Sequence, residues 1–285
     1  MTRLEYTFKT DTMFKMLFTQ HPDLLENLVS ALLAIPLDNI QHFEIINTEL
    51  PSDYLGGKFC RLDINMIVNG QRVNLEIQIA RQEHYINRVL FHWARDYSAS
   101  LPEGGNYRDL PRTVIISIID FNQFECNHFH SEFCPLEVTR HERLTDKMSL
   151  HFFELQKLPA GELTTSNKLL LWLSLFKAST EEELAQIKAL EEPTMEQAIN
   201  AYQRISASPE FRELERLRSM ARHDEASALG EAEERGEKRG AERGEKKGKQ
   251  EEKLAIARNA LAEGASIEFV QKITGLDLET IKAMN

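Results

Sequence analysis

Apolar and polar residues alternate on both sides of an Asn69-Gly70 dipeptide. Leu62, Ile64, Met66 and Val68 lead into it and Val73, Leu75, Ile77 and Ile79 lead away, while Asp63, Asn65, Asn74, Glu76 and Gln78 take the intervening positions. A period of two is that of a strand with one buried face. Asn-Gly supplies the two positive-φ residues that a type I′ turn requires, so the pattern predicts a β-hairpin. Its register sets Val68 opposite Gln71, Ile67 opposite Arg72, Met66 opposite Val73, Asn65 opposite Asn74, Ile64 opposite Leu75 and Asp63 opposite Glu76.

Outside the hairpin the pattern changes to helical spacing. Phe14, Leu17 and Phe18 predict a first helix over 10–21 with Thr10 or Asp11 near its N-cap, and a second follows over 22–33, closed by Ile35-Pro36. An extended piece is expected within 40–50 and a loop over 51–57. After the hairpin, Ile86, Val89, Leu90, Trp93 and Tyr97 form the apolar stripe of a helix whose other side carries His84, Arg88, His92 and Arg95. A loop over 101–110 leads to 114–119, an uninterrupted apolar run typical of a strand covered on both faces. Segments 129–138 and 150–155 read as further strands. Helix, hairpin, helix, buried strand and more strands compose an α/β mixed sheet flanked by helices.

From Ser166, read as the cap of a helix over 169–177, the chain turns helical, with further helices over 181–190, 195–207 and 211–228. Gly236, Gly240, Gly244 and Gly248 then recur every four residues in a run of Glu, Lys and Arg, which reads as a charged linker or a helix of self-association. The last stretch holds three short apolar patterns broken at Gly264 and Gly275, with Ser266 at a cap position; this spacing resembles a helix-turn-helix. Its final helix has few basic residues to offer phosphates, so packing or assembly is expected there ahead of DNA reading. The organisation is therefore a core over 1–165, a helical extension over 166–229, a Gly-rich charged linker or association helix over 230–250, and a small helical tail over 251–285.

Composition narrows the function classes. A chain of 285 residues, 42% hydrophobic and 28% charged, has the make-up of an ordinary soluble protein. Its longest apolar run, 169–176, falls far short of the ~18 residues of a membrane span, and no signal-like segment opens the chain, so a cytoplasmic protein without a membrane partner is expected. Cys60, Cys126 and Cys134 are too few and too unevenly placed for a disulfide framework. Cys126, His128, His130 and Cys134 invite a zinc reading, but alternate positions of one strand diverge too far to close a tetrahedral site unaided. A net charge of −11 repels polyanions at long range, so any nucleic-acid contact must be local.

The polar face of the hairpin carries the candidate chemistry. A solvated surface hairpin would alternate in the same way, yet this face holds acids and amides, no Lys, and a single Arg (Arg72) near the turn. Opposed residues have Cβ atoms about 4.5–5.5 Å apart, and two like charges there destabilise a sheet unless something positive lies between them. A divalent cation held by Asp63 and Glu76 meets that need, and such a cation can screen a phosphate, acidify a bound water and stabilise a leaving oxygen. Gln78, on the same face, is placed to orient water or phosphate.

Several segments together carry a family resemblance. Thr10 to Phe18 (TDTMFKMLF), Arg61-Leu62-Asp63-Ile64, Asn74 to Ile79 (NLEIQI), the helix from Arg88 to Tyr97, and Tyr107-Arg108-Asp109-Leu110-Pro111 resemble the Rpn family of recombination-promoting nucleases, within the PD-(D/E)XK nuclease superfamily. The likeness covers roughly residues 5–160 closely and the helical, Gly-patterned remainder loosely. It implies a restriction-endonuclease-like core, Mg²⁺-dependent DNA cleavage with Mn²⁺ or Ca²⁺ as alternatives, and a role in recombination. By the same resemblance Asp63 and Glu76 match the metal-binding acids, Asp11 the acid of the first helix that completes the metal shell, and Gln78 stands where the superfamily has its Lys. That departure implies a weak nuclease. Lys15, one turn after Asp11, and Arg88, His92 and Arg95 are the candidate DNA contacts. The competing reading is a catalytically reduced nuclease fold that binds DNA or assembles through its tail; in both readings a homo-oligomer formed through the C-terminal region is expected.

Overall fold

The computed structural model describes residues 2–46 and 64–284. The predicted hairpin is present as β2 (Ile64–Val68) and β3 (Gln71–Gln78), paired antiparallel from Val68–Gln71 to Ile64–Leu75 in the expected register. Asn69 has φ 49° and Gly70 φ 76°, as the turn chemistry requires. The rung containing Asp63 lies outside the described residues. Asn69 does more than turn the chain. Its Oδ1 accepts the backbone N–H groups of Gln41 (2.9 Å) and His42 (3.1 Å), and its Nδ2 donates to the Asn39 carbonyl (2.7 Å). The turn is thereby fastened to the segment entering β1 (Phe43–Ile45), which pairs with β2.

Among the described residues the sheet has six strands in the order β1-β2-β3-β4-β6-β5. β4 (Thr113–Ile119) runs parallel to β3 and to β6 (Met148–Glu154), while β5 (His130–Phe133) closes the edge antiparallel to β6. Every residue of β4 is buried, which accounts for a run that is apolar from Val114 to Ile119 save for Ser117. Its connection from β3 passes through α3 (Tyr85–Ala99), since parallel neighbours need a crossover.

Each sheet face has its own core. Val73, Leu75, Val114, Ile116, Ile118 and Phe153 pack with α1 (Asp11–Gln20), α2 (Pro22–Leu33), α4 (Lys168–Lys177), α5 (Glu181–Lys188) and α6 (Pro193–Ala207). Aromatic contacts knit these helices together, with Phe14 against Phe176 (5.8 Å between centroids) and Phe18 against Trp172 (6.0 Å). The opposite face holds Ile115, Ile119, Leu150 and Phe152 under Tyr85 and Val89 of α3. The polar residues Asn74, Glu76 and Ser117 lie on this second face, since Glu76 and Ser117 are register partners and Glu76 also bonds Tyr85.

Four local expectations are corrected. The strand expected over 129–138 ends at Phe133, because Pro135 cannot donate to a ladder; only an isolated Leu136–Arg143 bridge lies beyond it. Ile79 follows the end of β3 and is 47% exposed, so the apolar face stops at Ile77. The cap of α4 is Asn167 rather than Ser166, its side chain accepting the Leu170 N–H at 3.1 Å. Leu90 faces outward, 40% exposed, while Trp93 stacks on Tyr97 with ring centroids 5.0 Å apart.

The chain divides into two compact units, 1–216 and 217–285. One helix, α7 (Pro209–Ala262), runs through the boundary and includes the charged glycine run, although each internal glycine costs about 1 kcal/mol relative to Ala. In the second unit α8 (Ile267–Thr274) and α9 (Leu278–Lys282) gather Val270, Leu276 and Ile281 around Ala257. Ser266 caps α8 as expected, Gly275 ends it with φ 67°, and Asp277 caps α9 by accepting the Thr280 N–H at 2.8 Å.

Candidate active site

Glu76 is a charged residue placed by a strand under a helix. It is only 5% exposed, and its Oε1 accepts the Tyr85 hydroxyl at 2.8 Å and the Ser117 hydroxyl at 3.0 Å. Both donors come from flanking elements: Ser117 from the parallel neighbour β4 and Tyr85 from the first turn of α3. Both bonds fall on one oxygen. Among the described residues Oε2 receives no hydrogen bond, so the carboxylate is oriented by one oxygen and keeps the other for a further ligand. Burial pushes the Tyr85 phenol far above its ordinary pKa, and the adjacent Glu76 carboxylate adds to the effect, so Tyr85 is a fixed donor.

Two residues further along β3, both ends of the Gln78 amide are occupied. Its Nε2 donates to the Ala80 carbonyl (3.0 Å), and its Oε1 accepts from Arg88 Nη2 (2.8 Å). Arg88 also donates to Gln82 and lies 4.9 Å from the centre of the Tyr85 ring, a cation–π distance. Its Nε is buried without a hydrogen-bond partner among the described residues. Arg88 is therefore turned from the outer strip of α3 toward β3, and a guanidinium stands beside the glutamine. At the same carboxyl ends of the parallel strands, Asp120 N–H donates to the Gln78 carbonyl (3.0 Å), and the Asp120 side chain accepts from Lys9 (2.5 Å) and Gln156 (2.7 Å). The carboxyl ends of parallel strands are where ligands bind in open α/β sheets.

The remaining predicted site residues are dispersed. Asp63 lies outside the described residues. Asp11 opens α1 half-buried and Lys15 is 5% exposed, both in the helix layer that covers the other sheet face. On α3, His92 is half-buried and Arg95 exposed. Thus Glu76, Gln78 and Arg88 are brought together, with Tyr85, Ser117, Lys9 and Asp120 as polar neighbours that the sequence reading missed. Only Ser117, a lone hydroxyl inside an apolar strand beside the Glu-X-Gln strand, carried a signal that could have found it.

A second polar cluster sits at the sheet edge. His130 Nε2 and His151 Nδ1 are 3.1 Å apart, His151 Nε2 is 3.0 Å from the Ser149 hydroxyl, and that hydroxyl donates to Glu132 at 2.8 Å. Donor counting fixes the direction: ionised Glu132 only accepts, so Ser149 accepts from His151, and His151 accepts from His130. Both rings are neutral in this chain. Burial lowers His151 to about 4 and lowers His130 as well, while the Ser149 hydrogen bond holds Glu132 below the usual carboxylate range. His130 is thus engaged with His151, and Cys134 accepts from Arg143 at 3.5 Å. Among the described residues no group of three or more His, Cys, Asp or Glu converges to hold a metal.

Residues 8–232 match the family model described as PD-(D/E)XK nuclease family transposase. The chain belongs to that family. Its mixed sheet flanked by helices is consistent with the PD-(D/E)XK α/β fold, and the family is a nuclease family. Residues 250–285 match the Rpn/YhgA-like nuclease family, C-terminal HTH domain, in agreement with the three-helix tail. Among curated proteins and solved structures, none matches the chain. No described helix is long and apolar enough to cross a membrane.

Proposed function

We propose that this PD-(D/E)XK family member is a divalent-metal-dependent DNA endonuclease of low activity that promotes recombination in the cytoplasm and self-associates through its C-terminal region. The observation that carries the reading is Glu76, a buried carboxylate fixed through one oxygen by Tyr85 and Ser117 with its second oxygen uncommitted among the described residues. Hard oxygen donors of this kind suit Mg²⁺, and Mn²⁺ or Ca²⁺ in its place. Five rungs of the hairpin follow the register whose next pair is Asp63 and Glu76, which supports these two as the metal ligands. When bound, the metal supplies an acidified water and charge stabilisation at the phosphate.

The chain's own residues do the remaining work in this reading. Tyr85 and Ser117 keep Glu76 aimed. Gln78, held at both ends, is a positioning residue and cannot supply the positive charge that a lysine would. Arg88 brings that charge beside it at the scissile phosphate, with a buried Nε that has no acceptor among the described residues. His92 and Arg95 add local phosphate contacts to a protein whose overall charge disfavours them. A helix-turn-helix tail supports DNA as the partner.

The absence of a lysine at position 78 favours one competing reading, a catalytically reduced fold that binds DNA without turnover. Plasmid cleavage and DNA binding measured together on wild type and Asp63→Ala separate the two. The endonuclease reading expects nicking with Mg²⁺ or Mn²⁺ that Asp63→Ala abolishes while binding persists. Cleavage that survives in Asp63→Ala overturns the assigned site, and salt-sensitive binding with no cleavage at any metal establishes the binding reading.

A further inference from the structure

The charged stretch of α7 is antisymmetric about Gly240, each charge on one side matched by an opposite charge at the same distance on the other, save Arg239. When two copies are laid antiparallel with Gly240 opposite Gly240, every charged residue from 231 to 249 except Arg239 meets an opposite charge on its partner. The same operation sets Gly236 opposite Gly244. A parallel in-register pair would instead put each charge beside its own kind. Sliding the antiparallel pair by one glycine step either way brings Glu233 against Glu251 or Glu231 against Glu245.

The helix turns these residues toward one side. With 3.6 residues per turn, Glu233 and Lys247 lie about 20° either side of Gly240, Gly236 and Gly244 about 40°, and Glu237 and Arg243 about 60°. All of these positions are exposed in the chain itself. A Cβ built on Gly236, Gly240 or Gly244 would meet no atom within 4 Å among the described residues, so no described contact within the chain requires a glycine there. Each glycine nevertheless weakens the helix, which a close backbone approach by a second helix would offset.

We infer that the partner of this face is a second copy of the chain, docked antiparallel through α7 about Gly240, with Glu233–Lys247 and Glu237–Arg243 pairs formed twice across the two-fold. An isologous contact of this kind closes on itself as a dimer. The inference rests on the self-association reading above and adds its site, direction and register.

The test is the mass of the full-length protein by sedimentation or light scattering over a concentration series, with helicity checked by circular dichroism. Wild type is expected to dimerise, less strongly as salt rises. Glu233→Lys/Glu237→Lys, and separately Arg243→Glu/Lys247→Glu, should each raise the dimer dissociation constant about tenfold or more. An equimolar mixture of these two variants should recover dimers, as should the chain carrying all four changes, because the pairs are again complementary. A wild type that is monomeric throughout overturns both this inference and the self-association reading. A wild type that dimerises while the charge reversals leave its mass unchanged overturns the α7 mode alone.

Discussion

Tyr85 donates its hydroxyl to Glu76 Oε1 at 2.8 Å, joining the first turn of α3 to the middle of β3 inside a closed layer. Ser117 reaches the same oxygen from β4. One carboxylate is thus held by two elements that both follow it in sequence, and the orientation of the proposed metal ligand is built into the sheet–helix interface. Outer hydrogen-bond partners of metal ligands typically affect metal affinity or activity about 10–100-fold.

Tyr85→Phe removes one of those two donors and keeps the ring packed against Phe152 and Phe121. Cleavage should fall about tenfold with a weaker apparent Mg²⁺ affinity, while stability changes by about 1 kcal/mol. A metal titration of the cleavage rate beside a urea melt reads both quantities. An unchanged metal midpoint would mean that Tyr85 only packs.

Arg88→Gln keeps a hydrogen-bonding side chain but removes the charge beside Gln78. Cleavage is expected to drop about 100-fold, with DNA binding weakened only modestly because a single phosphate contact is lost. Equal losses in binding and in cleavage at saturating DNA would assign Arg88 to substrate binding alone.

Asn69→Ala cuts three hydrogen bonds between the hairpin turn and residues 39–42 and also places alanine at φ 49°. The expected loss is about 2 kcal/mol of unfolding free energy, measurable as a lower urea midpoint. Gly70→Ala, strained only through φ 76°, should cost about 1 kcal/mol.

The edge cluster makes stability depend on acid. His151 and His130 are depressed by burial, so the unfolded chain binds protons that the folded chain refuses as pH falls from the ordinary histidine value of 6.5 toward about 4. Stability is therefore lost over that window, and Glu132, itself lowered, removes more as pH falls from its ordinary value of 4.5. His151→Asn should flatten the dependence between pH 6.5 and 5 in urea melts. A variant as acid-sensitive as wild type would place the effect elsewhere.

Much of this was legible in the sequence where a short-range rule governs the outcome. Asn69-Gly70 fixed the turn and hence the register, alternation fixed the faces of β2 and β3, and an apolar run broken only by Ser117 fixed β4 as central. The helix-turn-helix spacing of the tail rested likewise on glycine and cap positions within a few residues. What was not legible depends on tertiary neighbours. The three latches of Asn69 arise only when residues 39–42 meet the turn, and the rotation of Arg88 away from the His92–Arg95 strip toward Gln78 and the Tyr85–Glu76–Ser117 contact arise only when α3 and β4 are laid beside β3. Pro135 ended β5 early because a missing N–H matters only once a ladder partner is known.

The central claim, that Glu76 ligates a divalent cation for phosphodiester hydrolysis, is tested most directly by plasmid cleavage in a Mg²⁺, Mn²⁺ and Ca²⁺ series with wild type and Glu76→Gln. The substitution keeps the size of the side chain and an oxygen for Tyr85 and Ser117 while removing the charge. Wild type should nick plasmid with at least one metal and stop on chelation, and Glu76→Gln should be folded and inactive with every metal. Cleavage by Glu76→Gln at the wild-type rate would contradict the account.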